Sequence, residues 1–552
     1  MPTTPLSIYL LKKGINTDTS VLKLNNANSH KVQLEGTTSV MHVQTPTSNP
    51  PAFAKLFTES NQLTEVDFGT NQSTGAVLEL HHAGQTFFVT FGKGHTMLEM
   101  AFMVPDFGLK TALNLVEPKN IRGVDTASNK TKPLNTRVQS GLSAEVSDFP
   151  IDIDEDLLSA IEGLSNDAGF GSRVSGRRKA LKVNFKGQLD KLPMLLRKAY
   201  QKYTTPLPSE FKWVENIQEV TDLTTISSLD CALVALLKNY QTNGSLQNDN
   251  VYMIAPDVYD SDTVVGFSYG AKSMQRSDIL SLKRYLDKVV KEEGALEMKH
   301  LKTGYKVFAK DEEHITQYTW SGYDCLYCEL EKDGKHYELR AGAWYEINVD
   351  FVKEINAVME KIATYDVTLP DYNHDSEGAY NKDVAANDTN IECLDTKNIY
   401  LGGGQSRFEF CDLVNKNNGH DNKTDLIHVK HYTSSATLSH LFNQGVVSAE
   451  IFRRSEEARQ KLYSSHPGVL PLTDPAIAPN AGDYRIVYAI YDIDALPTKL
   501  PFFSKVNLKN AYNRLRLLGY EVALAHIEVH SDKTAQVKGK PSKNGSKLPS
   551  AA

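Results

Sequence analysis

Acids, an imidazole and an ammonium group crowd into one stretch of this 552-residue chain. Glu409 and Asp412 sit in Phe408-Glu-Phe-Cys-Asp-Leu413, and His428 and Lys430 in Leu426-Ile-His-Val-Lys-His431; Glu377 precedes them and Gln444 follows. Carboxylates in such a set can hold a divalent cation, which neutralises a phosphodiester and lowers the pKa of bound water. A lysine beside them stabilises the charge that develops on the attacked phosphate. The residue types therefore point to metal-dependent hydrolysis of nucleic acid. Glu409, Asp412, His428, Lys430 and Gln444 are the candidate catalytic residues, and Glu377, Glu409, Asp412 and His428 the candidate ligands for magnesium or manganese. One residue departs from the usual form. An acid two residues before the lysine would suit magnesium, whereas the imidazole of His428 suits manganese, zinc or nickel.

The elements that must position these groups follow from hydrophobic periodicity. A helix is expected around Ser376–Asn381, strands at Ile391–Leu394, Ser406–Val414 and Asp425–Tyr432, and a helix through Leu438–Gln444. A strand at Tyr484–Tyr491 and a helix at Leu508–Leu518 complete the region. Helix, three strands, helix, strand is the order of the restriction-endonuclease core. The expected fold class is therefore mixed α/β and multi-domain, with a restriction-endonuclease-like core in residues 366–530. Strand alternation puts His428 and Lys430 on one face. A hairpin symmetric about residues 418 and 419 would set Glu409 opposite His428. Asp412 would then lie opposite Asp425, on the other face unless a bulge intervenes, which makes it the second choice as ligand. The plainer alternatives are a core histidine and a buried ion-pair network.

Three further regions precede this one. Residues 1–145 are strand-rich, with runs at Ala76–Leu80, Thr86–Phe91 and Ala112–Leu115 and a glycine turn at Phe91-Gly-Lys-Gly94. Residues 146–205 change from acidic to basic and are expected to be helical, with a helix starting near Asp154. Between Arg173 and Lys202 ten cations face a single acid, Asp190. Arg173, Arg177, Arg178, Lys179, Lys182 and Lys186 are the expected phosphate contacts, giving salt-dependent, sequence-tolerant affinity for nucleic acid; a solvated face is the alternative. Residues 206–365 form a mixed middle domain whose Lys332-Asp-Gly-Lys335 signals a hairpin. The tail, 531–552, lacks apolar residues enough to fold and is expected to be disordered.

The net charge of −7 says little, because the charges are segregated along the chain. Five cysteines, an odd and sparse set, fit a reducing cytoplasmic compartment. Cys325 and Cys328 form a CxxC with no second pair to complete a zinc site. No apolar run approaches the roughly 18 residues of a membrane span, so no membrane partner is expected.

The segment Leu426–His431, followed by Ser434-Ser-Ala-Thr-Leu-Ser-His-Leu-Phe-Asn-Gln-Gly-Val-Val-Ser-Ala-Glu450, resembles the most distinctive stretch of a bacterial family known only as "sporadically distributed". Phe408–Leu413, Glu377 with Tyr380-Asn381, Gly342-Ala-Trp-Tyr345, Phe91–Gly94 and Phe107-Gly-Leu109 look like its other landmarks, and the likeness runs from about Leu6 to about Val529. A patchy distribution is typical of horizontally moved genes, defence and restriction modules among them. The resemblance thus implies a role against phage or foreign DNA, by analogy, and makes the histidine before the lysine the family's own form. Two readings follow: a metal-dependent nuclease-like effector, or a non-catalytic nucleic-acid-binding sensor or adaptor on the same core. DNA ranks ahead of RNA as partner, and a homo-oligomer is possible. Phosphotransfer has only Gly402-Gly-Gly404 behind it.

Overall fold

The structure, a computed structural model, describes residues 3–529 except 18–19, 35, 52, 60–62, 129–133, 155, 244–250, 257–262, 271–272, 274, 396–398, 402–405, 417–421, 433–434, 492 and 494. The expected disordered tail and the Gly402–Gly404 turn lie outside the described residues. Two compact units divide the chain: Met1–Ser128 with Asn135–Glu215, and a second comprising mainly Asn216 onward. The architecture is mixed α/β with several sheets.

The first unit is built on one ten-stranded sheet. Its strands are β1 (Thr4–Leu10), β2 (Ala27–Val32), β3 (Thr38–Gln44), β4 (Gly75–His82), β5 (Gln85–Gly92), β6 (Val116–Ser128), β7 (Leu134–Ala144), β8 (Asp156–Ser165), β9 (Arg173–Arg177) and β10 (Ala180–Phe185). They lie in the order β2-β3-β4-β5-β1-β10-β9-β8-β6-β7. One face is apolar. Leu6, Ile8, Val174, Leu181 and Val183 pack there under helices α1 (Phe107–Leu113) and α2 (Leu192–Thr204).

Several expectations are corrected here. The sheet runs through the boundary expected at residue 145, so 146–205 is not a separate helical segment. Asp156–Ser165 is a strand, not a helix. Leu158 and Ile161 both reach the core because β8 slips register between Leu158 and Ala160. A bulge thereby imitates the three-residue spacing of a helix. The basic residues Arg173–Lys182 likewise sit on two strands and their connecting turn. Ala112–Leu115 closes a helix instead of forming a strand, a short apolar run whose periodicity cannot separate the two. In the Phe91–Gly94 turn, Gly92 has φ +55°, the backbone a glycine tolerates.

In the second unit, Ile217–Glu219, Ala343–Ile347, Lys335–Arg340, Leu326–Lys332 and Val251–Met253 form a five-stranded sheet in that spatial order. The hairpin at Lys332–Lys335 is present, with Asp333 and Gly334 both at positive φ as a tight primed turn requires. Cys325 and Cys328 form no disulfide and are buried in the apolar cluster beneath it.

The region of interest is a six-stranded mixed sheet. Its elements are α3 (Glu377–Asn387), β11 (Ile391–Cys393), β12 (Leu413–Asn415), β13 (Thr424–His431), α4 (Ser435–Arg454), α5 (Glu456–Ser465), β14 (Tyr484–Tyr491), α6 (Phe502–Leu518) and β15 (Glu521–Ile527). From one edge the order is Ala363–Thr364, β15, β14, β13, β12, β11. β13, β14 and β15 run parallel, while β12 pairs antiparallel with β13 and β11 with β12. β14 is buried along its whole length, as a central parallel strand must be. The two faces carry separate cores. Tyr380 and Val384 of α3 pack on Ile427 and Val429, whereas Leu438, Leu441 and Val446 of α4 pack with Leu426 and Tyr488.

Candidate metal centre

The long strand expected at Ser406–Val414 does not form. Ser406–Phe408 pairs with Ile399–Leu401 in a small separate sheet, and only Leu413–Asn415 joins β13. Between them, residues 409–412 leave regular strand geometry. In a straight strand, residues three apart point to opposite faces. The break removes that constraint and lets Glu409 and Asp412 converge.

The hairpin register also differs from expectation. Leu413 stands opposite Ile427 and Asn415 opposite Asp425, so Asp412 comes level with the His428–Val429 stretch, three residues from where symmetry about residues 418 and 419 would put it. The Asp412 backbone N–H donates to the Ile427 carbonyl at 3.0 Å, and its Oδ2 accepts from the Val429 N–H at 2.8 Å. Its own carbonyl accepts from the N–H groups of Leu394 (2.8 Å) and Asp395 (3.1 Å). These bonds bring the end of β11 against the bend.

Asp395, Glu409 and Asp412 each offer a carboxylate oxygen, and the three oxygens lie within 4.8 Å of one another. Asp395 follows the short strand stretch Ile391–Leu394 and is a candidate ligand that the sequence did not single out; an acid closing a short strand is the signal that could have found it. Helix α3 supplies the roof. Asn381 Nδ2 donates to Asp395 Oδ2 at 3.2 Å, and a Cβ on Gly378 would come within 2.9 Å of that oxygen, so glycine permits the close approach. Asn381 is fully buried, and its Oδ1 has no hydrogen-bond partner among the described residues.

Glu377, in the first turn of α3, receives Lys430 Nζ at 2.9 Å and the His431 N–H at 3.3 Å. This ion pair pins α3 to the end of β13 and keeps an ammonium at the edge of the acids. Both side chains remain about 30% exposed.

Burial, reinforced by Glu409, Asp395 and Glu377, pushes the Asp412 carboxyl up to about 8, against the pull of the Val429 N–H. Asp412, buried beside other carboxylates, ionises with difficulty unless a counter-charge arrives. A cation entering the site would have to displace that proton, and would relieve the repulsion that holds it. An all-oxygen donor set of this kind suits hard cations such as magnesium, manganese or calcium.

Not every candidate residue gathers here. His428 lies on the α4 side, wholly buried, with its Nε2 3.4 Å from Ser448 Oγ and its ring 6.1 Å from that of Tyr488. Burial lowers it to about 3, so the imidazole is neutral. Alternation was expected to unite His428 with Lys430, but Lys430, near the strand end, reaches Glu377 of α3 while His428 stays in the interior. Gln444 is half-buried on α4, the layer opposite α3. Glu409, Asp412, Glu377 and Lys430 therefore come together, and His428 and Gln444 belong to the other layer.

A family model described as "Family of unknown function (DUF6119)" matches residues 6–528. No curated protein matches the chain. No helix among the described residues is long and apolar enough to cross a membrane.

Proposed function

Because the chain belongs to that family of unknown function, which has no activity to lend it, we propose from the geometry that it is a metal-dependent nuclease-like effector. Its substrate is nucleic acid, DNA ahead of RNA, in defence against phage or foreign DNA. The observation that carries this reading is the convergence of Asp395, Glu409 and Asp412 beside the Lys430–Glu377 pair. The order of α3, three strands, α4 and β14 supports a restriction-endonuclease-like core. Asp395, Glu409 and Asp412 would hold a magnesium or manganese ion, which would supply neutralisation of the phosphodiester and acidification of water. Asn381 fixes Asp395, and its Oδ1 has no hydrogen-bond partner among the described residues. Lys430 steadies the attacked phosphate once Glu377 releases it, and Glu377 then stands ready to orient water.

The basic residues of the first unit stay in this reading as phosphate contacts; Arg173, Arg177 and Lys182 share one sheet face with Asp125 and Glu162, which limits them to a single phosphate group of the nucleic acid, such as a strand end. His428 and Gln444 act through packing and not on substrate. A second reading is binding without cutting, which the Lys430–Glu377 pair favours, since it neutralises the ammonium.

The experiment is incubation of purified full-length protein with plasmid DNA and with RNA in magnesium, manganese or chelator. The nuclease reading expects cutting that needs metal and disappears in Asp412→Asn and Lys430→Ala. Retention of nucleic acid in chelator, with no cutting in either metal, would instead establish the second reading.

A further inference from the structure

The ten-stranded sheet has a second face, and across its centre it carries a cavity of about 560 Å³ lined only by residues of the first unit. Alternation dictates its lining. Where Leu6, Ile161, Val174 and Val183 turn to the core, Ser7, Glu162, Arg173, Ser175, Arg177, Lys182 and Asn184 turn outward. Strand register then sets a polar row across six strands: Thr90 is opposite Ser7, Ser7 opposite Lys182, Lys182 opposite Ser175, Ser175 opposite Glu162, and Glu162 opposite Gly123. Directly opposed side chains on neighbouring strands lie within roughly 5 Å at Cβ. Lys182 thus stands between two serines, Ser7 and Ser175.

Charge is arranged around that row. Arg137 forks onto Asp125 at 2.9 and 2.7 Å, Arg177 reaches the same carboxylate at 3.0 Å, and Arg173 pairs with Glu162 at 3.0 Å. The lining holds four cations, Arg137, Arg173, Arg177 and Lys182, and two acids, Asp125 and Glu162, for a net charge of about +2. Lys182 has no acidic partner among the described residues. Its neighbours in the basic stretch do not join it: Lys179 Nζ donates to the Met100 carbonyl, and Arg178 and Lys186 lie outside the cavity.

We propose that this cavity binds a phosphomonoester dianion on a small polar body of nucleotide size. A lysine flanked on the sheet by two serines offers an ammonium and two hydroxyl donors to one phosphate. The three guanidiniums, held at its rim by carboxylates, can each turn a free N–H edge to a phosphate oxygen. The net charge matches a dianion, and the volume falls in the range of small-molecule sites, about 300–1,000 Å³. Gln139 and Asn184 supply amide donors and acceptors for the organic part. Acids interleaved among the bases suit one phosphate group better than a continuous phosphate track. This inference stands independently of whether the carboxylates of the second unit cut nucleic acid.

The same phosphate could arrive on a free nucleotide or on the end of a short strand, and calorimetry on the full-length protein distinguishes them. The probes are inorganic phosphate, a nucleoside 5′-monophosphate, the parent nucleoside, and a trinucleotide with and without a 5′-phosphate. Binding of the monophosphate but not the nucleoside is expected, weakened about tenfold or more in Lys182→Ala. It is expected to be little changed in Lys186→Ala. A trinucleotide that gains affinity from its 5′-phosphate beyond that of the mononucleotide assigns the source to strand ends; equal or weaker binding assigns it to free nucleotide. The proposal is overturned if no phosphorylated probe binds, or if Lys182→Ala, with its unliganded melting temperature intact, binds as the wild type does.

Discussion

Two regions of this molecule collect charge in opposite ways. On the open face of the first unit, ionic groups sit on regular strands and pair with one another across the register, exposed to water. In the second unit, three acids meet where strand geometry breaks, and one of them is buried deeply enough to retain its proton to about 8. Exposed pairs cost little to form and contribute little, about 0–1 kcal/mol each. A buried carboxylate is expensive to ionise without a cation beside it, so Asp412 calls for a counter-charge. The contrast teaches that a sheet face built by alternation displays a surface, whereas a bend between two sheets builds a centre.

The largest effect should follow from removing an acid at the bend. Asp395→Ala should lower metal-dependent cleavage by about three orders of magnitude, the equivalent of roughly 4 kcal/mol of lost transition-state stabilisation. Single-turnover assays with plasmid would measure it. Activity near wild type would remove Asp395 from the centre and with it the contrast between the regions. Lys430→Ala comes next, with a loss of about a hundredfold or more in cleavage if the ammonium steadies the phosphate.

A comparable loss in stability, not chemistry, is expected at His428. Truncation to Ala opens a cavity beneath α4 and should cost about 2–4 kcal/mol in denaturant unfolding, with metal affinity unchanged. The wild type should also lose stability relative to His428→Asn as pH falls from 6.5 toward about 3. In that window the unfolded chain binds a proton that the folded state refuses, so acidification favours unfolding. A pH series of melting curves tests the sign; parallel curves for the two proteins would mean that the imidazole is not held neutral.

The smallest effect belongs to the open face. Arg137→Ala should change stability by no more than about 1 kcal/mol, because its pair with Asp125 is exposed and screened. A larger loss would mean that the face is an integral part of the fold and not a binding surface.

Regular elements were legible in the sequence and irregular ones were not. Tyr484–Tyr491 and the turn at Asp333-Gly334 came from an apolar run and a dipeptide, signals that depend only on local chemistry. The stretch from Asp154 was misread as a helix start because acids cluster there, as they do in a helix's first turn; Asp156–Ser165 is a bulged strand. At the site, acids and lysine were readable by type, but their meeting depended on where the chain leaves one sheet for another, which no local period encodes. His428 was overvalued because alternation gives a face and not a depth. Lys430 escapes the face of its own strand by sitting at the end.

Manganese titration of the full-length protein by calorimetry, wild type beside Asp412→Asn, probes the centre most directly. One site is predicted in the wild type, with binding that releases protons near neutral pH and is lost in the variant, whose amide keeps the Val429 hydrogen bond. Failure of the wild type to bind manganese, or undiminished binding by Asp412→Asn, would contradict the account.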